Sequence, residues 1–167
     1  MASDDLPTIL ATYEAWQPQT AEPVDVTSYI FGLCRGPTVA ESSLLNSVHG
    51  RRGLRDWVNP AAIVGLAVLG KSGFGVGAAI VKQKFLARPS DGAWELASIG
   101  IMVKRDPGFD RKAGDWEFAY WDPVDGITRA GAAYPYCGAC HADAGKAGGG
   151  ATDFVYIGSN WRAVIGP

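Results

Sequence analysis

Apolar and polar residues alternate with a period of two along several stretches of this chain, and that pattern predicts strands. In Gly77 to Phe85, Ala79, Val81, Gln83 and Phe85 point one way, and Ala78, Ile80, Lys82 and Lys84 the other. Trp94 to Val103 and Trp116 to Trp121 read alike, joined by a polar turn through Asp106-Pro-Gly-Phe109. Arg55-Asp-Trp-Val58 predicts another strand, closed by Asn59-Pro60. Val26 to Leu33 alternates loosely, is β-branched or aromatic at several positions, and reads as a strand too. Helical signals are fewer. Pro60 suits the first turn of a helix with Ala61 to Leu69 as its apolar body and Gly70 as its stop. Tyr13 and Trp16 predict a short amphipathic helix within 11–16, ending before Pro18. Cys34 to Arg52 reads as loop, and the segment from Ala142 as helical until Gly148-Gly-Gly150. Together these elements predict an α+β domain, mainly an antiparallel β-sheet with a few helices.

Composition narrows the class. At 167 residues the chain is one domain, with a flexible terminus over 1–10, a core domain over 11–157 and a tail over 158–167. Hydrophobic residues make up 47% and charged ones 19%, a globular balance. The net charge of −2 and the absence of a basic stripe argue against nucleic-acid binding. Lys104, Arg105, Arg111 and Lys112, interleaved with Asp106 and Asp110, read as a solvated turn. The longest apolar run, Ile63 to Leu69, is too short to span a membrane.

Cys137-Gly-Ala-Cys140-His141 carries the sharpest chemistry. A C-x-x-C-H run is the attachment site of a c-type haem: two thiols add across the porphyrin vinyl groups, and the adjacent imidazole becomes the proximal iron ligand. A thioredoxin-like redox pair needs C-x-x-C between a strand and a helix in a βαβ pattern, which is missing here. Because c-type attachment is extracytoplasmic in bacteria, a periplasmic location is expected, with a signal peptide removed or trimmed ahead of Met1.

The ordered set Cys34-Arg-Gly-Pro37, Ser47-Val-His-Gly50, Val58-Asn-Pro-Ala61, Gly77-Ala-Ala-Ile-Val-Lys-Gln-Lys84, Gly100-Ile-Met-Val-Lys104, Gly114-Asp-Trp-Glu117, Cys137-x-x-Cys-His141 and Thr152-Asp-Phe-Val155 resembles the cytochrome P-460 family, over roughly residues 11–157. The resemblance implies a mainly antiparallel β-sheet domain, a homodimer, and one covalent haem c on Cys137 and Cys140 with His141 on the iron. It implies a lysine at the porphyrin edge, covalently linked in members with the P-460 chromophore, and places it at Lys82. It also implies chemistry on small nitrogen oxides, by hydroxylamine oxidation or, as in the cytochrome c′-beta branch, by binding nitric oxide, with a cytochrome as a redox partner. One position departs. Hydroxylamine-oxidising members use a distal carboxylate on the strand before Val103-Lys104, and the matching position here is Gly100, with Glu95 on the same strand but out of place.

Other residues leave alternatives open. Lys82 and Lys84 share a strand face with Ile80, so they are either edge lysines or an interior pair with a use. His49 as sixth ligand makes an electron-transfer cytochrome; as a loop histidine it is structural. Met102 reads as core rather than axial ligand. Arg35 and Arg55 pair with haem propionates or with surface groups. Trp57, Trp94, Phe109, Trp116, Phe118 and Tyr120 are expected to build the core and the haem walls. Cys34 is a small buried apolar residue, or joins Cys137, Cys140 and a histidine in a Cys₃His zinc module.

Overall fold

A seven-stranded, wholly antiparallel sheet carries the structure, a computed structural model that describes residues 5–33, 51–69, 71–129, 136–147 and 152–156. Its strands are β1 (Gln17–Pro18), β2 (Val24–Val26), β3 (Arg52–Val58), β4 (Ala79–Ala87), β5 (Trp94–Lys104), β6 (Trp116–Asp122) and β7 (Gly126–Arg129). From β3 to β7 they pair in chain order, while β1 and β2 both pair with β3, which lies next to the long central strands. Among the described residues the helices are α1 (Leu6–Thr12), α2 (Ser28–Leu33), α3 (Pro60–Ala67) and α4 (Tyr136–Ala147). The α+β class and the antiparallel sheet agree with the alternation in the sequence. No described helix is long and apolar enough to cross a membrane.

Register sorts one face of the sheet, here the front, into three rows. Val58, Ile80, Met102 and Phe118 form an apolar row. Asp56, Lys82, Gly100, Tyr120 and Thr128 form a polar row beside it. Leu54, Lys84 and Ser98 form the third. Ala62 and Leu66 of α3, with Phe74, pack on the apolar row, and Ile30 of α2 packs with Leu54. On the reverse face, Leu6, Ile9 and Tyr13 cover Trp57, Val81, Ile99 and Ile101. There Gln83 ties the layers together: Trp57 Nε1 donates to its Oε1 at 2.7 Å, and its Nε2 donates to Tyr13 Oη at 2.8 Å.

Several expectations are corrected. The first helix starts at Leu6, inside the stretch 1–10 read as a flexible terminus, because Leu6 and Ile9 are buried. Tyr13 and Trp16 fall on and just after a 3-10 turn, Tyr13–Ala15. The expected strand from Val26 to Leu33 is only the end of β2 followed by α2. Thr27 switches the chain: its carbonyl accepts from Phe31 N at 2.9 Å and its hydroxyl from Ile30 N at 3.1 Å, and this cap outweighs the β-propensity of the following residues. Lys104 and Arg105 are not in a solvated turn, since Lys104 is paired with Asp153 and Arg105 with Asp5 and Glu117, all at least half-buried. Phe109 is exposed, and Trp57 lies on the reverse face, so neither lines the front. Cys34, Arg35 and His49, with the stretch 34–50 expected as loop, Gly70, Gly148 to Gly150 and the tail 158–167 lie outside the described residues.

The helix begun by Pro60 is as expected. Asn59 starts it by accepting from Ala62 N at 2.8 Å through Oδ1, the N-cap position. The same side chain binds β4, accepting from Ala79 N at 3.0 Å and donating to Gly77 O at 2.8 Å.

Candidate haem-attachment site

The C-x-x-C-H run lies on α4. Spacings of three and four residues bring Cys137, Cys140 and His141 to one side of that helix. Cys137 packs against the apolar cluster over the first row, and the Cys140 thiol donates to Tyr156 Oη at 3.9 Å. Gly138 lies against the 3-10 turn Arg111–Ala113, where an added Cβ would come 3.3 Å from that of Ala113.

His141 stands between Phe118 of the sheet and Tyr156, with ring centroids 4.9 and 5.7 Å away. Its Nδ1 lies 2.7 Å from the carbonyl oxygen of Phe154. A carbonyl only accepts, so Nδ1 carries the proton and Nε2 keeps its lone pair. Burial pushes the imidazole down to about 4, with the Phe154 carbonyl opposing the shift and the Lys82 charge adding to it, so it is neutral at pH 7. Neutral imidazole with Nδ1–H held by a backbone carbonyl is the form in which histidine binds metals through Nε2.

Asp153 delivers that carbonyl. Its carboxylate accepts from Lys104 Nζ at 2.8 and 2.9 Å and from Phe74 N at 2.8 Å, and its carbonyl accepts from Trp116 Nε1 at 2.9 Å. Asp153 and Phe154 both have left-handed backbone, with φ of 46° and 65°. Tyr156 Oη donates to Cys140 O at 2.9 Å and Thr152 Oγ1 to Ala144 O at 3.1 Å, so residues 152–156 grip α4 along its length. Asp153, Phe154 and Tyr156 were not singled out from the sequence as site residues. The signal was the Thr152-Asp-Phe-Val155 run, whose roles emerge only once Lys104 and Trp116 are brought to it.

Lys82 comes near enough to His141 for its charge to act on the imidazole. It is no edge lysine: its side chain is 15% exposed on central strand β4, with Nζ 3.7 Å from Asp56 Oδ1. Gly100 is directly opposite Lys82, and among the described residues a Cβ built on it would meet nothing nearer than Lys82 Cβ at 4.0 Å. The sequence reading missed Asp56, a buried carboxylate in the same row one strand beyond Lys82. Glu95 is remote, exposed and paired with Arg88. Arg55 lies on the reverse face, in register with Gln83, and donates to Thr20 O at 3.0 Å, so it does not meet groups on the front. Met102 is core, as expected. Among the described residues, no group of three or more His, Cys, Asp or Glu side chains could hold a metal ion.

The residues fit a covalent haem on two grounds: two cysteines on the histidine's side of one helix, and an imidazole with its Nε2 lone pair available. No family model and no curated protein matches the chain.

Proposed function

We propose that this chain is a periplasmic mono-haem c-type cytochrome related to the cytochrome P-460 family, with one haem on Cys137 and Cys140, His141 as proximal ligand and Lys82 at the porphyrin edge. The observation that carries the reading is the 2.7 Å contact of His141 Nδ1 with the Phe154 carbonyl, which keeps Nε2 for a metal on the same side of α4 as the two thiols. Bound there, the haem supplies an iron that takes up small nitrogen oxides and exchanges single electrons. The chain's own part is to tether, orient and tune. The thiols fix the group covalently, and Phe154 fixes the imidazole tautomer. Lys82 brings a positive charge to the front face, partly balanced by Asp56.

Nitric oxide binding is the activity these residues favour. A neutral diatomic ligand needs no base, and Gly100 leaves space without a side chain. Hydroxylamine oxidation needs a proton acceptor. The described carboxylate of the row is Asp56, which is two strands from Gly100 and paired with Lys82 at 3.7 Å. Turnover of hydroxylamine is therefore slow or absent. A homodimer and a cytochrome redox partner belong to the same proposal.

Expression with a cytochrome c maturation system tests it. The purified protein keeps its colour through acid–acetone extraction and gains the mass of one haem, and Cys137→Ala with Cys140→Ala loses both. Haem that extracts from the native chain overturns the attachment. In the matured protein, nitric oxide shifts the visible spectrum, whereas hydroxylamine with an artificial electron acceptor turns over slowly and Gly100→Glu raises the rate. Rapid turnover by the native chain overturns the ligand-binding reading. A peptide map reads the Lys82 bond directly: an unmodified Lys82 peptide leaves only proximity.

A further inference from the structure

Lys84 is a second largely buried lysine on the front face, and the haem reading gives it no task. The residue is 6% exposed on central strand β4, in register with Leu54 and Ser98. Its Nζ lies 5.0 Å from the centroid of the Phe31 ring and 5.6 Å from that of Tyr120. Tyr120 belongs to the polar row of Lys82 and Gly100, so the amine is held toward that row.

Two aromatic faces at this range attract a cation but offer none of its three N–H groups an acceptor oxygen. Taking an ammonium out of water costs more than such contacts return, which is why buried lysines are ordinarily matched by an anion. Lys82 has that match in Asp56 at 3.7 Å. Among the described residues no carboxylate is paired with Lys84, so this part of the front face has two lysines and one acid.

We propose that Lys84 seats a two-oxygen anion, a carboxylate or an oxyanion of similar size such as nitrite, beside the Tyr120 ring. One oxygen takes a charge-assisted hydrogen bond from Nζ, and the rings of Phe31 and Tyr120 hold the ammonium in place. Two sources supply this chemistry. One is a porphyrin propionate, in which case the inference rests on the haem reading. The other is a dissolved oxyanion, which does not need it.

The experiment compares the native protein with Lys84→Met and Lys84→Arg, all purified after expression with the maturation system. Calorimetry with sodium nitrite and potentiometric titration against pH are run on each. If the anion is dissolved, nitrite affinity falls at least tenfold in Lys84→Met, is largely restored in Lys84→Arg, and the reduction potential stays put. If the anion is a propionate, the potential and its pH dependence shift in Lys84→Met alone, and nitrite binds all three alike. Either result supports the site; neither quantity changing in Lys84→Met overturns it. Protein that takes up no covalent haem refutes the haem reading alone, because the nitrite titration still runs on it. Should Lys84→Met not fold, native protein made without haem, whose site no propionate can fill, decides: nitrite and formate raise its melting temperature above that in equal chloride, and identical melting in all three salts overturns the proposal.

Discussion

Gly114 shows how narrowly single positions around His141 are constrained. It has φ of 65°, and a Cβ placed on it would fall 2.3 Å from the Phe154 ring. Gly114→Ala would therefore strain its own backbone and push away the residue whose carbonyl holds the imidazole. The expected loss is about 2–3 kcal/mol in urea unfolding, since strain and a clash add. Haem retained per polypeptide falls with it. A variant as stable as the native chain would mean that Phe154 moves at no cost. Tyr13, on the reverse face, provides a pH test independent of haem. Burial is the main reason its phenol is pushed up to about 12. In the unfolded chain a tyrosine loses its proton near pH 10. Between those values only the unfolded state has released the proton, so stability is unaffected below about 10 and falls as pH rises through 12. The native-minus-Tyr13→Phe difference in tyrosinate absorbance should have its midpoint near 12. A midpoint near 10 would contradict the buried environment.

Elements are joined by side chains that serve two neighbours at once. Asn59 caps α3 and closes the gap to β4 through Gly77 O and Ala79 N. Asn59→Ala should cost about 2 kcal/mol, the upper end for a lost cap, since a strand connection goes with it. Thermal unfolding reads the loss, and Asn59→Asp should recover part of it by restoring Oδ1 as acceptor. Alternation and the Pro60 start signal made β3 to β6 and α3 readable from sequence. Thr27 defeated the same method: one hydroxyl and one carbonyl turn a β-prone run into α2. Strands β1 and β7, of two and four residues, are too short to show a period.

At the scale of the molecule, legibility depended on whether a relation is local in sequence. Cys137, Cys140 and His141 are neighbours, so their spacing is legible as a motif from the sequence alone. Asp56 and Lys82 meet only through the β3–β4 register, and Asp153 meets Lys104 from 49 residues away. Such pairings follow from packing, which no local pattern encodes. The fastening of α4 is different again. Its bonds to 152–156 span 8, 13 and 16 residues, whereas the sheet beneath is closed by ladders among β3 to β6. Amide hydrogen exchange on the haem-free protein should show α4 opening well before the centres of β4 and β5. Exchange of α4 only with global unfolding would contradict this.

The left-handed pair Asp153–Phe154 then becomes a matter of timing. In a chain made from its N-terminus, β3 to β6 emerge before the two thiols, and the thiols before the carbonyl that will lock His141. Between those moments α4 is not yet fastened from its far side, and under the proposed function that is when the thiols are open to whatever machinery joins porphyrin to sulfur. Once Asp153 reaches Lys104, Phe74 and Trp116, residues 152–156 are held against α4. Under the proposed function, a motif that follows the sheet strands makes covalent loading an event of assembly, finished by the same turn that fixes the His141 tautomer.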